Sequence, residues 1–278
     1  MKIVDLDKLL KDYVKKYIAE NKPDLKGDDF DDVLSDVYKS FETNAFTELG
    51  GKTPARYFDG YSGDYGELLK AHFNNGITVS DYFISSAVKC GKAEDLARLI
   101  DPENDEDIVI SAIDILDKMN SKIAFDRYID LLFDLSCDKC IVDKIVETLI
   151  PYADEVADKI IEKLDETADS DTRFINVLCN CKIKRTAIKK MLLNGFILGE
   201  KIPEYCSYAI VYNDESILSD LEEMIDGESD YVSFKELNLA IEALGGEPRS
   251  ESGFEGDENY IRIKRARREE DDGDKDKD

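Results

Sequence analysis

Cysteine offers the first candidate chemistry. Cys137-x-x-Cys140 and Cys179-x-Cys181 bring four thiols into two short pairs, the donor set of a structural zinc site. The gap between the pairs, 38 residues, exceeds that of ribbon-type sites, and neither pair carries the glycines that let a knuckle wrap a metal. A helical repeat of about 32 residues would still place both pairs at similar points of adjacent layers. Free cysteine is among the most commonly buried residues, so the reading adopted is buried, reduced thiols with no metal and no cofactor. Six cysteines with no secretion signal ahead of them point to a reducing compartment, the cytoplasm.

His72 is the sole histidine. One imidazole cannot supply a multi-histidine zinc, iron or copper centre, and between Ala71 and Phe73 it reads as a helix-end residue. Phosphate chemistry lacks its loop: Gly50-Gly51 runs into Lys52-Thr53, but Phe46 stands where the first glycine of a Gly-x-x-x-x-Gly-Lys-Ser/Thr loop belongs. Glycosidase chemistry would want aromatic sugar platforms, and the chain has no Trp. No catalytic constellation emerges.

The phrase Asp226-Gly-Glu-Ser-Asp-Tyr-Val-Ser-Phe-Lys-Glu-Leu237 resembles an EF-hand calcium loop entering its helix. Its back half fits. With Glu236 at position twelve, however, position one is Ile225 and position six is Asp230 where the turn needs glycine. The expectation is a plain turn into a helix capped by Ser233, with Glu236 closing a capping box.

Charge is the remaining candidate. Residues 182–199 carry Lys182, Lys184, Arg185, Lys189 and Lys190 and no acid. Glu162, Asp165, Glu166, Asp169 and Asp171 precede them, and 214–230 follows with eight acids and no base, among them Asp214, Glu215, Asp220, Glu222 and Glu223. Two readings compete: a positive stripe for an acidic partner, or a basic helix neutralised by its neighbours in the stack. The second is preferred. The acids and bases of this stretch together form the candidate interaction surface.

These residues need elements to hold them, and the apolar spacing supplies helices. Ile108, Ala112, Ile115 and Met119 recur at three- and four-residue steps, the stripe of an amphipathic helix. Similar stripes run through Phe125–Phe133, Ile141–Leu149, Val156–Leu164, Phe174–Leu178, Ile188–Leu193, Tyr205–Ile210, Leu218–Ile225 and Phe234–Leu244. Asp105, Asp138, Asp154, Asp169 and Ser233 stand where caps belong. Gly195 and Gly245-Gly246 stand where helices should end. The first helix of each pair begins near 105, 138, 170, 202 and 231, steps of about 30 residues.

Asp101-Pro-Glu-Asn-Asp-Glu-Asp followed by Ile-Val-Ile-Ser-Ala-Ile-Asp-Ile-Leu resembles the HEAT-like repeat proteins, with Ala112 as the small residue at the helix centre. The resemblance implies an all-α fold: an α-α superhelix of antiparallel helix pairs over 77–246. The segment 1–76 then forms an N-terminal helical cap. In it, Leu6–Ala19 and Phe30–Phe46 read as helices and Thr53-Pro54 as the start of another. Tyr57, Phe58, Tyr61, Tyr65 and Phe73 are expected to plug the first layer rather than to bind a ligand. The stretch 247–278, with twelve acids and eight bases, is expected to be a disordered charged tail.

The chain holds 63 acids and 37 bases, a formal charge of −26. Residues 77–246 contribute 36 acids against 18 bases, so the charge resides mainly in the helical stack. Such a surface repels nucleic acid and anionic membrane. The longest charge-free stretches, such as Met191–Gly199, are too short to span a bilayer. The expected function is a non-enzymatic interaction or scaffold module that meets a basic protein or peptide. HEAT-like folds also include DNA-alkylation glycosylases, so the resemblance leaves a nucleic-acid enzyme, or a DNA-mimicking inhibitor, as the alternative.

Overall fold

The computed structural model describes residues 1–21, 30–166, 173–199 and 201–275. Among them the regular structure is helical. The described residues hold no β-strand, only an isolated bridge between Phe46 and Lys52. Among the described residues no helix is long and apolar enough to cross a membrane. Two compact units divide the chain, Met1–Thr148 and Leu149–Asp278, and the division falls inside the stretch read as repeats.

The first unit opens with α1 (Leu6–Asn21) packed on α2 (Phe30–Thr43). Thr53 and Pro54 start a 3-10 turn, Pro54–Arg56, although the Thr53 hydroxyl makes no capping bond. Then follow α3 (Tyr65–Asn74), α4 (Asp81–Cys90), α5 (Ala93–Ala97), α6 (Glu106–Lys118), α7 (Phe125–Leu132) and α8 (Lys139–Leu149). Helices α3, α4 and α5 all pack on α6, because α6 is apolar on several sides. Ile108, Ala112 and Ile115 are buried along the expected stripe, and Val109, Ile113 and Leu116 are buried beside it. Each buried Ile, Val or Leu side chain among them contributes about 1.5–3 kcal/mol by leaving water. Asp105 caps α6 by accepting from the Asp107 amide, and Asp138 accepts from Cys140 at the start of α8. Tyr57, Phe58 and Tyr65 are buried, and with Phe83 they form the aromatic core of this unit.

The second unit holds α9 (Ala153–Glu166), α10 (Ile175–Cys179), α11 (Thr186–Leu198), α12 (Ile202–Tyr212), α13 (Leu218–Ile225), α14 (Tyr231–Ala243) and α15 (Glu258–Lys275). Here the first helices of successive pairs lie side by side, α10 on α12 and α12 on α14, with α11 and α13 returning against them. Gly195 corrects the reading of where α11 stops. It lies buried inside the helix, where the Tyr205 ring needs the missing Cβ's space, and Gly199 ends the helix at φ 73°. Position, not residue type, separates a packing glycine from a terminating one. Asp169 and Asp171 lie outside the described residues.

The charged segment from 247 onward divides in two. Phe254 and Tyr260 are buried against Tyr231, and Phe254 also meets Phe234. Asn238 exchanges two hydrogen bonds with the Arg249 backbone, at 2.9 and 2.7 Å. Asp257 caps α15 by accepting from the Asn259 and Tyr260 amides. Beyond Tyr260, residues through Ala266 are exposed apart from half-buried Ile263.

Candidate functional site

The basic stretch of α11 is tied down at its start. Arg185, only 15% exposed, reaches Asp154 Oδ1 at 3.1 Å and Asp158 Oδ1 at 2.9 Å, and donates to the Asp154 carbonyl at 3.0 Å. Burial opposes its charge, and the two carboxylates more than offset this, so its pKa rises. Asp154 also accepts from the amides of Ile183 and Lys182, at 3.0 and 3.1 Å. These bonds, Ile183's foremost, hold its pKa below the usual aspartate value. Asp154 therefore bridges to the loop before α11 and does not cap its own helix.

Two lysines are also committed. Lys184 Nζ lies 4.4 Å over the Tyr212 ring and donates to the Tyr212 carbonyl. Lys189 donates to Ser216 O at 2.5 Å and pairs with Asp220 at 3.3 Å. Lys182 and Lys190 are exposed, and their ammonium groups have no partner among the described residues. On the acidic side Asp214 accepts from the Ser216 amide at 3.0 Å. The carboxylates of Glu215, Glu222 and Glu223 have no hydrogen-bond or ion-pair partner among the described residues; Glu215 and Glu223 are exposed and Glu222 half-buried. The geometry thus commits Arg185, Lys184 and Lys189 inside the unit and leaves Lys182 and Lys190, together with Glu215 and Glu223, facing solvent.

The thiols split by burial. Cys137, Cys179, Cys181 and Cys206 are buried, whereas Cys90 and Cys140 are exposed, and none of the six forms a disulfide. Burial pushes the Cys179 and Cys206 thiols up to about 12 and Cys181 to about 11, which keeps them protonated and unreactive. Among the described residues one group of three potential metal ligands comes together: Glu106, Asp138 and Cys140. Cys137, Cys179 and Cys181 are not in it. The neighbouring Glu106 carboxylate, as a hydrogen-bond acceptor and by repulsion from its charge, raises the Cys140 thiol to about 11, which keeps it protonated.

His72 sits in the last turn of α3, buried 4.9 Å from the Phe83 ring, with Nδ1 2.8 Å from Leu68 O. Burial lowers its pKa and the Leu68 bond opposes this in part. The EF-hand-like phrase spends its carboxylates locally. Glu228 accepts from the amides of Ser229 and Asp230, and Asp226 pairs with Arg249 at 3.2 Å. The cap of α14 is Asp230, whose Oδ2 accepts from the Ser233 amide at 2.7 Å. Ser233, expected to be the cap, is thus the residue capped, because an aspartate three positions earlier reaches the free amide first.

No protein-family model, curated protein or solved structure matches this chain. Sequence reasoning missed the cleft between α1 and the turn after α2. Its signal was the i,i+4 pair Tyr13 and Tyr17 flanked by Asp12 and Glu20.

Proposed function

We propose that the chain is a non-enzymatic interaction module of HEAT-like helical-repeat type, which presents an acidic surface to a basic protein or peptide in a reducing compartment, the cytoplasm. The observation that carries this reading is the asymmetry of commitment around α11–α13. Arg185 and Lys189 are engaged by Asp154, Asp158 and Asp220, which leaves Lys182 and Lys190 as the unpartnered bases of the stretch against the unpartnered carboxylates of Glu215, Glu222 and Glu223 among the described residues. The first unit repeats the pattern: Lys144 pairs with Asp114 at 2.6 Å and Glu147 at 3.3 Å, and Arg98 with Asp64 and Asp95. With 63 acids for 37 bases, internal pairing leaves a negative surplus outside.

Three further features support the reading. The first helices of successive pairs are neighbours in the second unit, as stacked hairpins require. The buried thiols and buried histidine are placed for packing. Cysteines that stand as thiols suit reducing surroundings. The test is capture of a polybasic peptide by the full chain across a salt series. Binding should weaken steadily from low to physiological ionic strength and further above it. Reversal of Glu215, Glu222 and Glu223 to Lys should weaken it at every salt. Capture that ignores both salt and the triple variant would sink the proposal.

A further inference from the structure

In the first unit, α1 and the turn following α2 enclose a cleft of about 570 Å³. Its wall is aromatic. Tyr13 and Tyr17, one helical turn apart, present rings 6.1 Å apart and inclined at 43°. Phe46 meets Tyr13 edge-on at 5.5 Å and 82°. The corner these rings make is held rigidly. Buried Phe41 backs both Tyr13 and Phe46, at 5.7 and 5.0 Å. The Tyr13 hydroxyl is bonded to Ser40 Oγ at 2.7 Å and accepts from Asn44 Nδ2 at 2.6 Å. Phe46 is pinned by its backbone exchange with Lys52 and Gly51. Tyr13, Tyr17 and Phe46 are nonetheless only half-buried.

The rim is acidic: among the described residues Asp12, Glu20 and Glu48 line the cleft against a single cation, Lys16. Lys16 Nζ stands 3.9 Å from Glu20, and both side chains are mostly exposed, a loose pair that a better cation displaces. Negative ring faces and carboxylates around one concave space select a cation with an apolar stem. A planar guanidinium satisfies both walls at once, because it stacks on a ring while its edge donates in a fork to a carboxylate.

We infer that this cleft is the docking site for an arginine side chain of the basic peptide partner, stacked on the Tyr13–Tyr17–Phe46 corner and paired with Glu20 or Glu48. The inference deepens the function proposed above and rests on it for the nature of the partner. The cleft itself answers to a smaller probe.

The experiment uses the full chain with ring-labelled tyrosine and a short Gly/Ser peptide carrying one arginine, beside the same peptide with citrulline, its neutral isostere. The arginine peptide should shift the Tyr13 and Tyr17 ring signals and the citrulline peptide should bind at least several-fold more weakly. Tyr17→Leu, and the double variant Glu20→Gln with Glu48→Gln, should each weaken arginine binding, roughly three- to thirty-fold for the ring. Lys16→Ala should tighten it by removing the resident competitor. Circular dichroism and the undisturbed Tyr65 signal check that each variant is folded. Equal binding of the two peptides, or full affinity in folded Tyr17→Leu, would overturn the inference. If polybasic capture is salt-sensitive while the arginine probe leaves Tyr13 and Tyr17 unmoved, the cleft is refuted and the wider reading survives. If the probe binds while polybasic capture ignores salt, the cleft stands and the wider reading falls.

Discussion

Arg185 and Asp154 are joined twice, once through the carboxylate at 3.1 Å and once through the Asp154 carbonyl at 3.0 Å. The same carboxylate receives two amides from the loop before α11. One aspartate thus fixes the start of α9, the loop and the basic helix together. Its removal orphans three donors at once, a different loss from that of a surface ion pair.

Asp154→Ala should therefore lower stability by about 1–3 kcal/mol, against less than about 1 kcal/mol for Asp158→Ala, whose carboxylate is 83% exposed. The pH dependence follows from the depressed Asp154 pKa. The stability it supplies is present above the ordinary aspartate pKa of about 3.9 and is lost as pH falls through the lower folded value. Urea melts at neutral pH and across the acid limb should show a shallower acid loss in Asp154→Ala. Equal limbs in the two proteins would contradict this.

His72 gives a second window, nearer neutrality. Its folded pKa lies below the ordinary value of 6.5, because burial among Phe58 and Phe83 disfavours the imidazolium. The unfolded chain binds the proton first. Stability is therefore whole above pH 6.5 and declines as pH falls through the folded pKa. His72→Phe should flatten the stability profile between pH 7.5 and 5, even if its absolute stability is lower. A profile as steep as that of the unaltered protein would count against the buried imidazole as the cause.

Thiol reagents report the third expectation. Under native conditions two cysteines, Cys90 and Cys140, should react, and Cys137, Cys179, Cys181 and Cys206 should react only after unfolding. Cys140 should be the slower of the exposed pair, since a pKa of about 11 leaves roughly a thousandth of it ionised at pH 8. Glu106→Gln should speed Cys140 alone. Peptide mapping of the labelled sites, with the rate of each, decides the matter.

The α6 stripe was legible because burial follows local spacing: Ile108, Ala112 and Ile115 repeat at helical steps and all three are buried. Neutralisation of Arg185 was legible in kind, since acids flank the basic run on both sides. The identity of Asp154 as its partner was not, because that contact joins residues 31 apart and depends on how two helices meet. Composition likewise treats the charged segment from 247 as uniform, yet Phe254 and Tyr260 within it find Tyr231 and bring the chain as far as Tyr260 onto the fold. The acidic aromatic cleft escaped notice for the same reason: Phe46 and Tyr13 are neighbours only after folding.

Gly195 provides the sharpest separation of local from tertiary preference. In an isolated helix, Gly195→Ala would gain about 1 kcal/mol from propensity. In the folded unit the new methyl would fall 1.9 Å from the Tyr205 ring, whose place is shared with Phe196. Relief requires the α11–α12 contact to open or the ring to leave its rotamer, and overpacking of that kind costs about 1–3 kcal/mol. The expected outcome is a net loss of stability in the single variant. A double variant, Gly195→Ala with Tyr205→Leu, should be less destabilised than the sum of its parts, since the shorter side chain vacates the space. Urea denaturation of the four proteins in this cycle measures the coupling. A neutral or stabilised Gly195→Ala would mean that α11 and α12 do not pack as closely as the ring position requires.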